Sequence, residues 1–183
     1  MDLFKINKLI NDLNQNKIVS MPTETVYGLF AKISRLNLRN LNKIKKREAT
    51  KPLQIFFFDF KQIEKFTELS KFQRQILIQE LPGDKSFIVP SSPYFKKIIK
   101  ENTILVRFPI WEQKELKLTK KVFAKIDKPL LATSANLSKE KEINDGKEIQ
   151  KKFQINGFNK KIKPKKASTI ISLLNNEIEI IRK

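Results

Sequence analysis

Apolar residues recur three and four positions apart at Leu3, Ile6, Leu9, Ile10 and Leu13, which puts them on one face of a helix over 3–16. The same spacing, at Leu38, Leu41 and Ile44, predicts a helix over 37–46. Further helices are predicted over 60–67, 72–81, 93–100, 112–126 and 143–153, with Pro82-Gly83 ending the one over 72–81. Strands are read where the period changes. Ile18 and Val19 begin a strand over 17–21, at whose end Pro22 removes a ladder donor. Residues 53–58 are apolar and aromatic, 86–89 close on Pro90, and 130–133 run into Ser134-Ala135-Asn136. Residues 103–108 alternate: Thr103, Leu105 and Arg107 share one face, Ile104, Val106 and Phe108 the other. Residues 169–174 and 178–181 form a hairpin around Asn175-Asn176, and 156–167 read as a basic loop. Helices alternate with strands, with no internal repeat or linker. The expected fold is a single α/β domain over 1–183, a twisted sheet of parallel and antiparallel strands with flanking helices.

Composition narrows the chemistry. The chain of 183 residues contains no Cys and no His, so it has no thiolate nucleophile, no disulfide and no imidazole base or metal ligand. No metal site is expected. Apolar runs are too short to span a bilayer and the first residues do not read as a signal peptide, so a cytoplasmic setting without membrane contact is expected. The net charge is +19, from 38 basic and 19 acidic side chains. Such an excess suits a polyanionic partner, and weak tRNA or RNA binding is one expectation. It equally suits lysines accumulated on solvated faces of a chain rich in Lys, Asn, Ile and Phe.

Four constellations carry candidate chemistry. Residues 21–29 follow the first strand and crowd Thr23, Glu24, Thr25, Tyr27 and Gly28 into one stretch, read as a loop forming a pocket wall. Thr23 and Glu24 are expected to fix that loop by local hydrogen bonds, and Thr25 to touch substrate. Lys45, Arg47 and Lys51 converge if the second helix ends near Arg47, and Pro52 favours an extended Lys51. They then suit a triphosphate or a carboxylate, or else they satisfy a helix C-terminus. Arg107 shares an otherwise apolar strand face with Thr103, so it either pairs with a carboxylate at a rim or binds a ligand. Ser134 and Asn136 at a strand end suit an anion, or Asn136 caps the helix at 143–153. Neither GxxxxGK[ST] nor GxGxxG is present.

In order, Pro22-Thr23-Glu24-Thr25-Val26-Tyr27-Gly28-Leu29, Lys45-x-Arg47, Lys51-Pro52-Leu53, Leu81-Pro82-Gly83, Arg107-x-Pro109, Ser134-Ala135-Asn136-x-Ser138, Ser168-Thr169-Ile170 and Arg182 resemble the YrdC/TsaC family of threonylcarbamoyl-AMP synthases, in its short single-domain form. The resemblance implies a YrdC-like domain with an open basic cavity. It implies a reaction in which L-threonine, bicarbonate or CO₂, and ATP give threonylcarbamoyl-AMP and pyrophosphate, for t⁶A modification of tRNA. It places Thr25, Phe56, Arg107, Ser134 and Ser168 around threonine. It places Lys45, Arg47, Lys51, Thr103, Asn136, Asn144 and Arg182 around ATP. Lys45, Arg47, Ser134 and Asn136 form the catalytic group. Mg²⁺ would arrive with ATP, and a tRNA threonylcarbamoyl-transferase complex would take the product. Phe30, Glu48, Asp84 and Lys139 depart from the family pattern, which bears on loop shape. A basic RNA-binding module of the same fold is the competing class; it has no use for hydroxyls beside an Arg.

Overall fold

The computed structural model describes residues 2–46, 54–138, 140–163, 165 and 167–183. Its strands are β1 (Val19–Pro22), β2 (Tyr27–Lys32), β3 (Gln54–Phe56), β4 (Ser86–Pro90), β5 (Thr103–Arg107), β6 (Leu130–Ser134), β7 (Asn156–Gly157), β8 (Ile170–Ser172) and β9 (Glu179–Arg182). They form one sheet in the order β7-β1-β2-β6-β3-β5-β4-β8-β9. The pairs β1/β7, β3/β5 and β4/β8 are parallel and the remaining neighbours antiparallel. The mixed sheet expected from the alternating elements is therefore present.

Helices cover both faces. On one, α1 (Asp2–Asn14) packs on α6 (Lys117–Ile126). Their stripes Ile6, Leu9, Leu13 and Val122, Phe123, Ile126 meet Val19, Met21, Phe30, Phe56, Leu130 and Ala132 of the sheet. Phe30 stands edge-on to Phe56 and Phe123, with ring centroids 5.2 and 6.0 Å apart. On the other face lie α2 (Arg35–Lys45), α3 (Phe60–Phe66), α4 (Lys71–Glu80), α5 (Pro93–Ile99) and α7 (Gly146–Phe153). They bury Leu41, Ile63, Phe66, Leu77, Phe95, Ile99 and Ile149 against Leu29, Ile55, Phe87, Val106 and Leu131. Local signals set the starts: Ser34, Asp59, Ser70 and Ser92 each accept a hydrogen bond from a backbone N–H of the first turn.

The main departure from the sequence expectation is β2. Residues 27–29 belong to the stretch read as loop and 30–32 to no predicted element, yet Tyr27–Lys32 is a central strand between β1 and β6. Tyr27 to Ala31 are buried without exception. Both faces of β2 are covered, so the period of two that marks a half-buried strand never appears. Other differences concern ends. The stretch 112–126 is a short 3₁₀ turn (Lys114–Leu116) leading into α6. The helix expected from 143 begins at Gly146, and its cap is Asp145, whose carboxylate accepts from Lys147 N at 2.8 Å; Asn136 does not cap it. The basic stretch 156–167 contributes β7.

Candidate functional site

The α1–α6 layer covers β1, β2, β6 and β3 and leaves the rest of that sheet face open. A cavity of about 460 Å³ lies there. Its floor is Gln54, Phe56, Leu105, Arg107 and Ile170. One wall is the turn from β1 to β2, with Thr23 and Thr25. The opposite wall is Ser168 with Ile181 and Arg182 of β9, and Ser134 closes a third side. Elements far apart in sequence thus bring Thr25, Phe56, Arg107, Ser134, Ser168 and Arg182 around one space.

The turn is tight. Thr23 Oγ1 donates to Val26 O at 2.6 Å and accepts from the backbone N–H of Thr25 and Val26. The Thr25 hydroxyl lies 3.3 Å from that of Thr23. Thr23 is a local brace, as expected. Glu24 is not: it is buried and ion-paired with Arg107. Arg107 itself is 1% exposed, so it is not a rim residue. Its Nη1 donates to Gly83 O at 2.6 Å and Lys85 O at 2.7 Å, and its Nη2 donates to Glu24 Oε1. Three of five N–H groups are engaged. Nε–H and one Nη2–H meet no partner among the described residues, and two donors are what a carboxylate takes in a bidentate grip. Burial lowers the Arg107 pKa to about 10, while Glu24 favours the charged form. Arg107 is therefore a cation at neutral pH.

Beside Ser134 lies a second cluster. Lys45 is buried at the end of α2. Its Nζ donates to Ser134 O at 2.7 Å, to Ser134 Oγ at 3.2 Å and to Asn136 Oδ1. Ser134 Oγ donates to Asn136 Oδ1 at 2.6 Å, and Asn136 Nδ2 donates to Glu140 O at 2.6 Å. The loop is pinned to α2 by Ser138 N donating to Lys45 O at 2.9 Å. Asn144 accepts from Tyr27 N at 3.4 Å, which places it at the foot of the turn. Thr103 starts β5 opposite Pro90 and is not among the cavity's lining residues. Arg47 and Lys51 lie outside the described residues.

On the far wall Arg182 donates through Nε at 3.2 Å and Nη2 at 2.6 Å to Ser168 O. Sequence reasoning missed Gln54, Ser86 and Glu142. Gln54 and Glu142 line the cavity; Ser86 lies beneath it, bonded to Gln54 and Ser168. Glu142 is the one acidic side chain among the described lining residues. A wider groove of about 1020 Å³ lies elsewhere, along Asn16, Lys17, Lys43, Lys46 and Gln154. It sits at the C-terminal ends of α1, α2 and α7, where lysines offset the helix dipoles, and none of the expected site residues lines it.

Chemically, the cavity offers hydroxyls on three sides, a buried cation with two spare donors, and a second arginine at the rim. That suits an amino acid with an anionic group next to a larger anion. It offers no imidazole or thiol, so any nucleophile must come with the substrates.

Residues 11–183 match the Sua5/YciO/YrdC family model, described as "Telomere recombination". A Methanocaldococcus jannaschii relative is 31% identical over 182 residues, covering 95% of this chain and 83% of that protein. The threonylcarbamoyl-AMP synthase of Vibrio vulnificus is 28% identical over 151 residues, 79% of this chain and 78% of that protein. Among solved structures, Escherichia coli YciO superposes with a TM-score of 0.85 at 17% identity, over 100% of this chain and 90% of that one. Pyrococcus abyssi Sua5 complexed with L-threonine gives 0.83 at 24% identity, over 98% of this chain. This chain spans about half of that longer protein, 54%. At these identities the two structures speak for the fold.

Proposed function

This chain belongs to the Sua5/YciO/YrdC family, and from that premise we propose that it is a threonylcarbamoyl-AMP synthase, acting as one YrdC-like unit. It condenses L-threonine, bicarbonate or CO₂, and ATP to threonylcarbamoyl-AMP and pyrophosphate. The observation that carries the reading is the convergence of Thr25, Ser134 and Ser168 with Arg107 around one cavity. A site for polyanions alone needs cations and has no use for three hydroxyls.

In this reading Arg107 grips the threonine carboxylate with its two spare donors. Thr25, Ser134 and Ser168 orient the rest of the amino acid, and Phe56 gives an apolar contact. Lys45, Asn136, Asn144 and Arg182 face ATP, joined by Arg47, Lys51 and Thr103. The threonine amine adds to CO₂ and loses a proton. The resulting carbamate oxygen attacks the α-phosphorus, and the bond to pyrophosphate breaks. The substrates supply each nucleophile, which is why a chain without His or Cys suffices. The protein supplies placement, worth roughly 7–11 kcal/mol in well-oriented reactions, and fixed donors for the charge that develops on phosphorus. Mg²⁺ would enter on ATP. The described residues include no group of three metal-ligating side chains, so the phosphates would hold the ion, with Glu142 as the nearby carboxylate it fits.

The product is a labile mixed anhydride, so it calls for a tRNA threonylcarbamoyl-transferase complex downstream. No described helix is long and apolar enough to cross a membrane, and a cytoplasmic location accords with a tRNA pathway. The test is pyrophosphate release from ATP with and without L-threonine and bicarbonate. Release is expected only with both; release indifferent to threonine overturns the reading. Arg107→Ala is expected to raise the KM for threonine and Arg47→Ala that for ATP, and equal titrations in both variants would refute the assignment. Binding to tRNA or RNA is expected to be weak. Tight binding with a steep salt slope would favour the binding-module reading instead.

A further inference from the structure

Ser86 is fully buried on β4. It pairs with Arg107 on one side and Ile170 on the other. Its hydroxyl touches two cavity-lining side chains from different strands. Gln54 Nε2 donates to Ser86 Oγ at 2.6 Å, and Ser168 Oγ lies 3.0 Å from Ser86 Oγ. An amide nitrogen donates and does not accept. Gln54 therefore takes one of the two lone pairs of Ser86 Oγ, and the buried Ser86 proton has no acceptor among the described residues other than Ser168 Oγ, which makes Ser86 the donor of that pair. Ser168 Oγ accepts from below, and its own proton is left for the cavity it lines.

The backbone around Ser168 is already fixed. Arg182 holds its carbonyl with two donors, and Ser86 N donates to Thr169 O at 2.9 Å. The hydroxyl torsion is what remains, and the relay sets it. We infer that Gln54 and Ser86 are positioning residues: through Gln54–Ser86–Ser168 they commit the Ser168 hydroxyl to donate to the carboxylate of the amino-acid substrate, beside Arg107. The relay has a second consequence. It gives the amino-acid end of the cavity a fixed donor at Ser168, whereas Ser134, whose own proton goes to Asn136 Oδ1, keeps only acceptor capacity. The inference rests on the reading of this cavity as the threonine site.

The experiment compares wild type with Ser86→Ala, Ser86→Thr and Gln54→Met, each first checked for a cooperative thermal melt. Steady-state pyrophosphate release is titrated with L-threonine and, separately, with ATP. L-Threoninol, which lacks the carboxylate, is used as a competitor. Ser86→Ala is expected to raise the KM for threonine about three- to tenfold, the range for one lost hydrogen bond between neutral groups. The KM for ATP stays within about twofold. The wild-type preference for threonine over threoninol narrows by the same factor as the KM rises, because only the carboxylate contact is weakened. Gln54→Met, which removes the donor that orients Ser86, moves both quantities in the same direction, and Ser86→Thr restores them. A folded Ser86→Ala that uses threonine like wild type overturns the inference. So does equal weakening of threonine and threoninol, or a KM for ATP that rises in step, since those are the marks of a general packing defect. If Ser86→Ala does not fold, Gln54→Met decides alone. Wild type without threonine-dependent release would instead refute the parent reading, and this one with it.

Discussion

Arg107 shows how one side chain is made available by its surroundings. Two carbonyls and a carboxylate hold it, and the two remaining donors define what it can bind. Removing the anion leaves a buried cation uncompensated, a change that costs about 3–5 kcal/mol. Glu24→Gln is therefore expected to lower the stability in urea by that order, a loss that the double variant Glu24→Gln/Arg107→Met largely recovers. Arg107→Lys tests the same burial differently. Lysine begins near about 10.4, and the desolvation that brings arginine from 12.5 to about 10 acts on it too. The variant is expected to use threonine best at the low end of the neutral range and to lose it as pH rises and the ammonium discharges, whereas wild type shows no such fall below about pH 9. A parallel pH profile in both would disprove this. At this scale the sequence is only partly readable. Thr25, Arg107 and Ser134 stand out as hydroxyls and an arginine beside apolar runs, whereas Ser168 is marked only by the ordered family motif. Glu24 looks local because its partner lies 83 positions away. Gln54 and Ser86 look ordinary, and only the strand order places them side by side.

Among the elements, β2 and its neighbours explain why two glycines stand where they do. A Cβ on Gly28 would come within 2.5 Å of the Phe30 ring, so Phe30, the departure from the family pattern, fills room that Gly28 leaves. A Cβ on Gly146 would collide with Phe158 O and come within 2.6 Å of the Tyr27 hydroxyl. That hydroxyl donates to Phe158 O at 2.9 Å, and burial pushes its pKa up, so it serves as a strut and not as an acid. Gly146→Ala is expected to break the strut and pry α7 from β1 and β7. A destabilisation of about 1–3 kcal/mol should follow, read as a lower urea midpoint with an unchanged slope. Helix faces were legible because each buries one side, and β5 because Thr103 and Arg107 mark one of its faces, although residues on both faces are buried. The two-faced β2 and the two-residue β7 were not, since burial on both faces erases periodicity and two residues carry too little of it.

For the whole molecule, the sheet order matters more than any single motif. Residues that meet across the cavity come from the first hairpin and the last. The charge of +19 is spread over lysines on solvated faces and at helix ends, while only Arg107 and Arg182 among the described lining residues are cationic. Net charge was therefore a poor guide to the cavity, whereas the ordered motifs pointed to Thr25, Phe56, Arg107, Ser134, Ser168 and Arg182, which line it. The sheet also joins regions of unequal permanence. β2 is hydrogen-bonded on both sides and buried from Tyr27 to Ala31, whereas β9 is an edge strand whose four residues are all exposed. Amide hydrogens of β2 should exchange with solvent only on global opening, and those of β9 through local fraying. One wall of the cavity is thus as durable as the fold, and the other comes and goes on its own schedule. Occupancy by ATP and threonine should accordingly slow exchange at Ile180–Arg182 far more than at Tyr27–Ala31, and part of the binding free energy is spent on holding the last hairpin shut.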